Sequence, residues 1–320
     1  MHYYINDYAA IGLNLGGAQY GYAEREGAMM SWSSVTVTEE TRNSMGYGNL
    51  LLKILPFKGP VKIYAENNFL PIISPEEMTS PEIINQFKNM DPEIIVLAAY
   101  GKLLPLEFLE LAKFGAINVH PSILPLYRGS IPVQAAILAG DKKTGVSLML
   151  MDQGLDTGPI IAQSEFSLNG SETTPQLSDK LFIEGANLLQ NIGPQYIGGK
   201  IYAKPQGLGA KPLRRLKKDA GRVDWLKSAQ LIEREVRAFT PWPGTYTYWR
   251  GSKVDILEVS LETGLRSTPG TVLKTIQGIC IAAGDSLLRV KKIKIEGKTE
   301  VTAEEFVRGQ PDFIGATLPS

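Results

Sequence analysis

Two histidines occur in the 320 residues of the chain: His2, beside the first methionine, and His120, inside the stretch "INVHPSILP" that runs from Ile117 to Pro125. Imidazole is the side chain whose ordinary pKa lets it carry protons near neutral pH. Two residues upstream, Asn118 supplies an amide donor, and Asp156 in "MDQGLDTG" (151–158) supplies a carboxylate on a glycine-flanked loop. An amide and a protonated imidazole can stabilise the oxyanion of a tetrahedral intermediate, while a carboxylate orients the imidazole and helps move protons. No serine, cysteine or lysine is forced into the role of nucleophile, so a substrate amine can take it. Spacing alone also admits a plainer reading, in which His120 is a packed residue and Asp156, ahead of Thr157 and Gly158, forms a turn.

These side chains need a frame. The run "SPEIINQFKNM" (80–90) has a serine cap, a proline in the first turn and apolar residues at helical spacing, which predicts a helix. A short apolar run within 92–105 predicts a buried strand, followed by a helix over 106–114 and a second strand at 116–119. A helix at 131–140, two strands in "TGVSLMLM" and "PIIAQSEFSL", and a helix over 174–192 continue the alternation. Alternating strands and helices predict an α/β fold with a doubly wound, Rossmann-like sheet, where ligands bind beyond the carboxyl ends of strands. Asn118 and His120 stand at such an end. From residue 209 the texture changes: a basic segment "KPLRRLKK" (211–218), one helix at 228–239, then five short strands joined by hairpin-like turns. That pattern predicts a small β-barrel of the OB type. The expected division is 1–208 and 209–320, with a basic linker at 209–222.

Composition narrows the functional classes. Hydrophobic content of 43% and charged content of 21% describe an ordinary globular chain. The lone Cys280 excludes an internal disulfide framework and a multi-cysteine zinc site, and it fits a reducing compartment. No apolar run approaches the roughly 18 residues that would cross a bilayer, and the start reads as no signal peptide. We therefore expect a cytoplasmic monomer with no metal and no membrane partner. The net charge of zero conceals an asymmetry. Residues 1–208 carry 14 basic against 20 acidic side chains, and residues 209–320 carry 19 against 13. A basic second half hints at a polyanionic partner.

The stretch 117–163, with its Asn-x-His-Pro-Ser-x-Leu-Pro segment and later Asp-Thr-Gly loop, resembles the core of the folate-dependent formyltransferases. The resemblance implies Asn118, His120 and Asp156 as catalytic residues. It also implies Ser122, Ile123, Leu124 and Pro125 as the segment that binds the formyl donor, 10-formyltetrahydrofolate. The later stretch "GRVDWLKSAQLIEREVRAFTPWPGTYT" (221–247) resembles the junction and C-terminal domain of those family members that act on methionyl initiator tRNA. The implied reaction is transfer of a formyl group to the amino group of that tRNA. Because a tRNA is a polyanion, Arg128, Lys211, Arg214, Arg215, Lys217 and Lys218 are the candidate phosphate contacts, with a merely solvated linker as the plainer reading of the basic run. Two alternatives are formyl transfer to an amino-sugar nucleotide, and a tRNA-binding remnant with impaired catalysis.

The chain departs from the family in two places. Leu126 stands where the family commonly has arginine, although Arg128 is retained. Residues 1–53 lack the expected apolar first strand, Gly-Thr-Pro-like loop, helix, second apolar strand and basic loop, and we expect them to be irregular. A shifted reading frame would account for this: back-translating Ala28–Ser34 with TCN serine codons and reading two bases later yields a run of the apolar-strand type. AGY codons at Ser31 or Ser33 would remove that support.

Overall fold

The computed structural model describes residues 9–13, 60–70, 72–73, 80–100, 104–210, 212–264 and 267–319. The remainder, including nearly all of the atypical start and Lys211, lies outside the described residues. The chain divides into two compact units: 1–125 with 146–164 and 179–209, and 126–145 with 165–178 and 210–320.

The first unit is built around a five-stranded sheet of order β1-β2-β3-β4-β5, formed by β1 (Ala9–Leu13), β2 (Ile94–Ala98), β3 (Ala116–His120), β4 (Lys143–Leu150) and β5 (Ile160–Ser167). Helices α1 (Pro60–Asn67), α2 (Pro81–Asn89) and α3 (Leu106–Leu109) precede β3 in the chain. Ser80 caps α2 by accepting from the Ile83 backbone N–H, as the sequence predicts. Helix α3 is shorter than the predicted 106–114, because turns at Leu111 and Gly115 reverse the chain into β3. Phe87 of α2 and Phe108 of α3 meet edge to face, with ring centres 5.0 Å apart, in a core that includes Ile95, Leu97 and Ala116. Apolar burial of this kind holds the layers together and fixes the depth of β3.

The sheet is of the expected Rossmann-like α/β kind, but only part of it is parallel. Strands β2 and β3 are parallel, with Leu97 opposite Asn118, but β1·β2 and β3·β4 are antiparallel. The result is a mixed α/β sheet with a parallel pair at its centre. Alternation in the sequence requires a helix between β3 and β4, here α4 (Pro132–Ala139), but it does not dictate which end of the sheet the chain re-enters. Gly140 closes α4 in the left-handed conformation, φ 69°, and the chain returns antiparallel to β3.

The long helix α5 (Thr174–Ile197) begins where predicted and runs past residue 192. In the second unit, α6 (Ala229–Ala238) has Ser228 as its cap. The strands are β6 (Tyr246–Trp249), β7 (Ser252–Glu262), β8 (Val272–Thr275), β9 (Gly278–Ala282) and β10 (Leu287–Ile295), in the order β6-β7-β10-β9-β8. The ladders are antiparallel, and a register shift in β10 around Lys292 bends the sheet. Its path is open, with β6 and β8 at its ends, so the expected barrel is seen as a curled sheet. Arg250 and Gly251 both have positive φ, the geometry of a two-residue hairpin turn, one of the hairpin-like turns expected between the short strands. Trp249, Phe306 and Phe313 form an edge-to-face trio in the core of this unit. Four strands and α-helices were not anticipated: α1, β11 (Val301–Thr302), α7 (Ala303–Gly309), and β1, whose five residues pair with β2 inside the stretch 1–53 that was expected to be irregular and without a strand. A reciprocal cap between Thr302 and Glu305 opens α7, and its Thr-x-x-Glu signature is legible in the chain. Those bonds hold the Glu305 carboxyl below its ordinary pKa.

Candidate active site

Strand β3 alternates its faces, so Asn118 and His120, two residues apart, project from the same one. Their partners across the antiparallel ladder are Met149 and Ser147 of β4. His120 is 3% exposed although it can carry a charge. Beyond the end of β4, residues 151–159 loop out and return: the Met151 N–H donates to the Ala116 carbonyl, and the Leu150 N–H to that of Pro159. Within the loop, Asp152 accepts from the Gly154 N–H and the Thr157 hydroxyl, so it sets its own turn. A Cβ on Gly158 would meet the Leu150 carbonyl oxygen at 1.8 Å, so only glycine allows the loop to press this close to β4.

That fold carries Asp156 back over β3. Its Oδ1 lies 3.5 Å from the Asn118 amide nitrogen, and its Oδ2 lies 3.7 Å from Nδ1 of His120. The first contact is a long hydrogen bond; the second is an ion-pair contact that exists when the imidazole is protonated. One carboxylate therefore addresses both candidate groups, one oxygen to each, across 38 residues of sequence. Asp156 is 9% exposed, where electrostatic attraction is less screened than in water. Its backbone sits at φ 53°, uncommon for a residue with a Cβ, so the loop is held there by its surroundings. The structure brings all three sequence-predicted catalytic residues together.

The segment 122–125 leaves β3 immediately after His120. Ser122 and Leu124 are 0% and 2% exposed, while Ile123 and Pro125 are half-buried. The Ser147 hydroxyl donates to the Ser122 carbonyl (2.6 Å) and accepts from the Leu124 N–H and the Gln163 amide. A hydroxyl has one donor and two acceptor sites, so all three are used. Gln163 also donates to the Leu124 carbonyl, at 2.9 Å. Ser147, Gln163, Asp152 and Gln206 were not anticipated. Asp152 had a local signal, the Asp-x-Gly turn pattern; the others lie far along the chain from what they hold and left none.

The basic candidates belong to the second unit. Arg128 is half-buried, and its carbonyl accepts from the Leu213 N–H at 2.8 Å, so this residue runs beside the basic segment. Arg214, Arg215, Lys217 and Lys218 are exposed, and Lys211 is outside the described residues. Leu126 is exposed too. Among the described residues, no group of three or more His, Cys, Asp or Glu is placed to hold a metal ion. No helix among them is long and apolar enough to cross a membrane.

Residues 42–192 match the family model "Formyl transferase", and residues 215–311 match "Formyl transferase, C-terminal domain". The chain is 39% identical over 241 residues to the methionyl-tRNA formyltransferase of Thermodesulfovibrio yellowstonii, covering 75% of this chain and 78% of that protein. Among solved structures, HypX from Aquifex aeolicus in complex with tetrahydrofolic acid is similar in fold, with a TM-score of 0.56 and 19% identity; the match covers 73% of this chain and 41% of that one. An N-formyltransferase from Helicobacter canadensis, in complex with folinic acid and dTDP-3-aminofucose, has a TM-score of 0.53 and 19% identity, over 74% of this chain and 84% of that one.

Proposed function

Because this chain belongs to the formyl transferase family, both parts of which it carries, we propose that it moves a formyl group from 10-formyltetrahydrofolate to the amino group of methionyl initiator tRNA. The observation that carries this reading is the meeting of Asn118, His120 and the Asp156 carboxylate within 3.5 and 3.7 Å. The amine nitrogen attacks the formyl carbon, and the carbonyl oxygen takes the electron pair. Donors on Asn118 and on protonated His120 stabilise that oxyanion. The Asp156 carboxylate orients the imidazole, and a proton passes from the attacking amine to the departing folate nitrogen as its bond to carbon breaks. The nucleophile and leaving group both come from substrates, which is why the site needs no serine, cysteine or lysine.

The donor is read onto the segment Ser122–Pro125. With Ser122 and Leu124 packed inside and their backbone groups bonded to His120, Ser147 and Gln163, Ile123 and Pro125 are the parts available to it. The tRNA is read onto Arg128, Lys211, Arg214, Arg215, Lys217 and Lys218. The support is the exposure of Arg214, Arg215, Lys217 and Lys218 and the run of Arg128 beside their segment. Residues 1–208 carry the chemistry and residues 209–320 hold the tRNA, with the curled sheet serving as an OB-like platform. The enzyme works as a cytoplasmic monomer and uses no metal. Relatives named for methionyl-tRNA favour this acceptor over an amino-sugar nucleotide. The test is single-turnover formylation by the purified chain. Charged initiator tRNA should be formylated and an amino-sugar nucleotide should not; the reverse would overturn the assignment, and inactivity with both would leave the impaired remnant.

A further inference from the structure

Gln206 makes a pair of contacts with the loop that carries Asp156. Its side-chain nitrogen donates to the backbone carbonyl of Asp156 at 2.9 Å and to that of Gly158 at 2.8 Å. A primary amide has two N–H groups, so both are spent on the loop that bears the catalytic carboxylate. The placement follows from chain pairing. After α5, Lys204 and Ile160 exchange both backbone hydrogen bonds, at 2.7 and 2.8 Å, in an antiparallel bridge. In antiparallel register, two further residues along set Gln206 across from Gly158. Its half-buried side chain then reaches one more step, to Asp156.

We propose that Gln206 is a positioning residue for formyl transfer, fixing residues 156–158 so that the Asp156 carboxylate meets Asn118 and His120. The other bonds described for this loop do different work. Those of Asp152 with Gly154 and Thr157 close its first turn, and those of Met151 and Pro159 tie its ends to the sheet. The bonds from Gln206 act on the middle, where Asp156 stands at a positive φ that it would otherwise tend to leave. The kinetic part of this proposal rests on the formyl-transfer reading. The positional part does not.

The test replaces Gln206 with Met, which keeps the length and removes both donors. Two measurements follow: single-turnover formylation, and an NMR titration of the His120 imidazole. The chain's only other histidine is His2, so a His2→Gln background assigns the signal. Asp156 is the carboxylate that faces His120, and Asp156→Asn supplies the reference for its loss. In Gln206→Met the melting temperature should stay within a few degrees of wild type, and the chemical rate should fall about 10- to 100-fold with little change in donor KM. The His120 midpoint should move toward its value in Asp156→Asn. A wild-type rate together with a wild-type midpoint overturns the proposal. If the wild-type chain transfers no formyl group, the functional reading fails, and the titration decides the positioning on its own. If Gln206→Met does not fold, Gln206→Glu, which sets a carboxylate against two carbonyls, is read by the same two measurements.

Discussion

The catalytic loop and the basic segment are held in opposite ways. Asp156 is buried, bent into a left-handed conformation, and carried to its partners across 38 residues of sequence by a turn, a close backbone approach at Gly158 and the Gln206 amide. Arg214, Arg215, Lys217 and Lys218 lie exposed on a stretch tied down at Leu213 through the Arg128 carbonyl. The difference follows from range. Proton transfer and oxyanion stabilisation need heavy atoms within a few tenths of an ångström of their places. Attraction of a polyanion acts over a Debye length of about 8 Å at physiological salt, so it tolerates loose side chains and spreads over many of them.

Single changes in the first region should therefore be severe, and changes in the second graded and salt-dependent. The largest effect is expected from His120→Ala and from Asp156→Asn. Each should lower the single-turnover rate at least about 100-fold with little loss of donor binding. A near-wild-type rate in either would erase the contrast. Next comes Gly158→Ala, whose new methyl would meet the Leu150 carbonyl at 1.8 Å and push the loop outward. Here the rate should fall roughly 10- to 100-fold, with donor affinity again little changed. If it does not, the close approach of the loop to β4 is not what places the carboxylate.

Neutralising Arg214, Arg215, Lys217 and Lys218 together to Gln should leave the rate at saturating tRNA within a few-fold of wild type. The KM for tRNA should rise, and the slope of log affinity against log salt should become shallower by up to about one for each phosphate that is no longer neutralised. A collapse of the saturated rate instead would mean that this segment also places the reacting amine. The smallest effect serves as a control on the second unit. Thr302→Ala removes the hydroxyl that caps α7, at a cost of about 1 kcal/mol near neutral pH by denaturant unfolding. The bonds from the Thr302 backbone N–H and hydroxyl lower the folded-state pKa of Glu305. The share that the hydroxyl gives to this carboxylate is therefore complete above the ordinary glutamate range and lost as pH falls through the lower folded value, while its acceptance from the Glu305 N–H persists. The gap between mutant and wild type should narrow on that acid side and stay constant above it; formylation should be unchanged throughout.

Much of the fold was legible because local rules agreed with the global structure. Ser80 and Ser228 cap the helices they precede, Gly140 ends α4, and the turn at Arg250–Gly251 reverses the chain where two hydrophobic runs require it. The sense of the strands was not legible. Apolar runs in "AINV" and "TGVSLMLM" read alike whether β3 and β4 are parallel or antiparallel, since direction depends on the path of the connection. The capping pair Thr302 and Glu305 does carry its signal locally, in a Thr-x-x-Glu spacing. The supports of the site were beyond reach: Ser147 and Gln163 act on residues about 16 to 39 positions away, and Gln206 on residues 48 and 50 positions away.

The sequence by itself determined the chemical inventory. It placed Asn118 and His120 on one face of a strand, because side chains there repeat every two residues, and it marked Asp156 as a carboxylate on a glycine-flanked loop. It also determined which half of the chain is basic. Only the tertiary structure decided that the Asp156 carboxylate turns toward Asn118 and His120 rather than into solvent. Only it revealed the amide of Gln206, brought alongside by the pairing of Lys204 with Ile160, holding the loop in that position. The physical reason is that residue types are local facts, whereas a distance of a few ångströms between segments is set by long-range pairing and packing that no short stretch encodes.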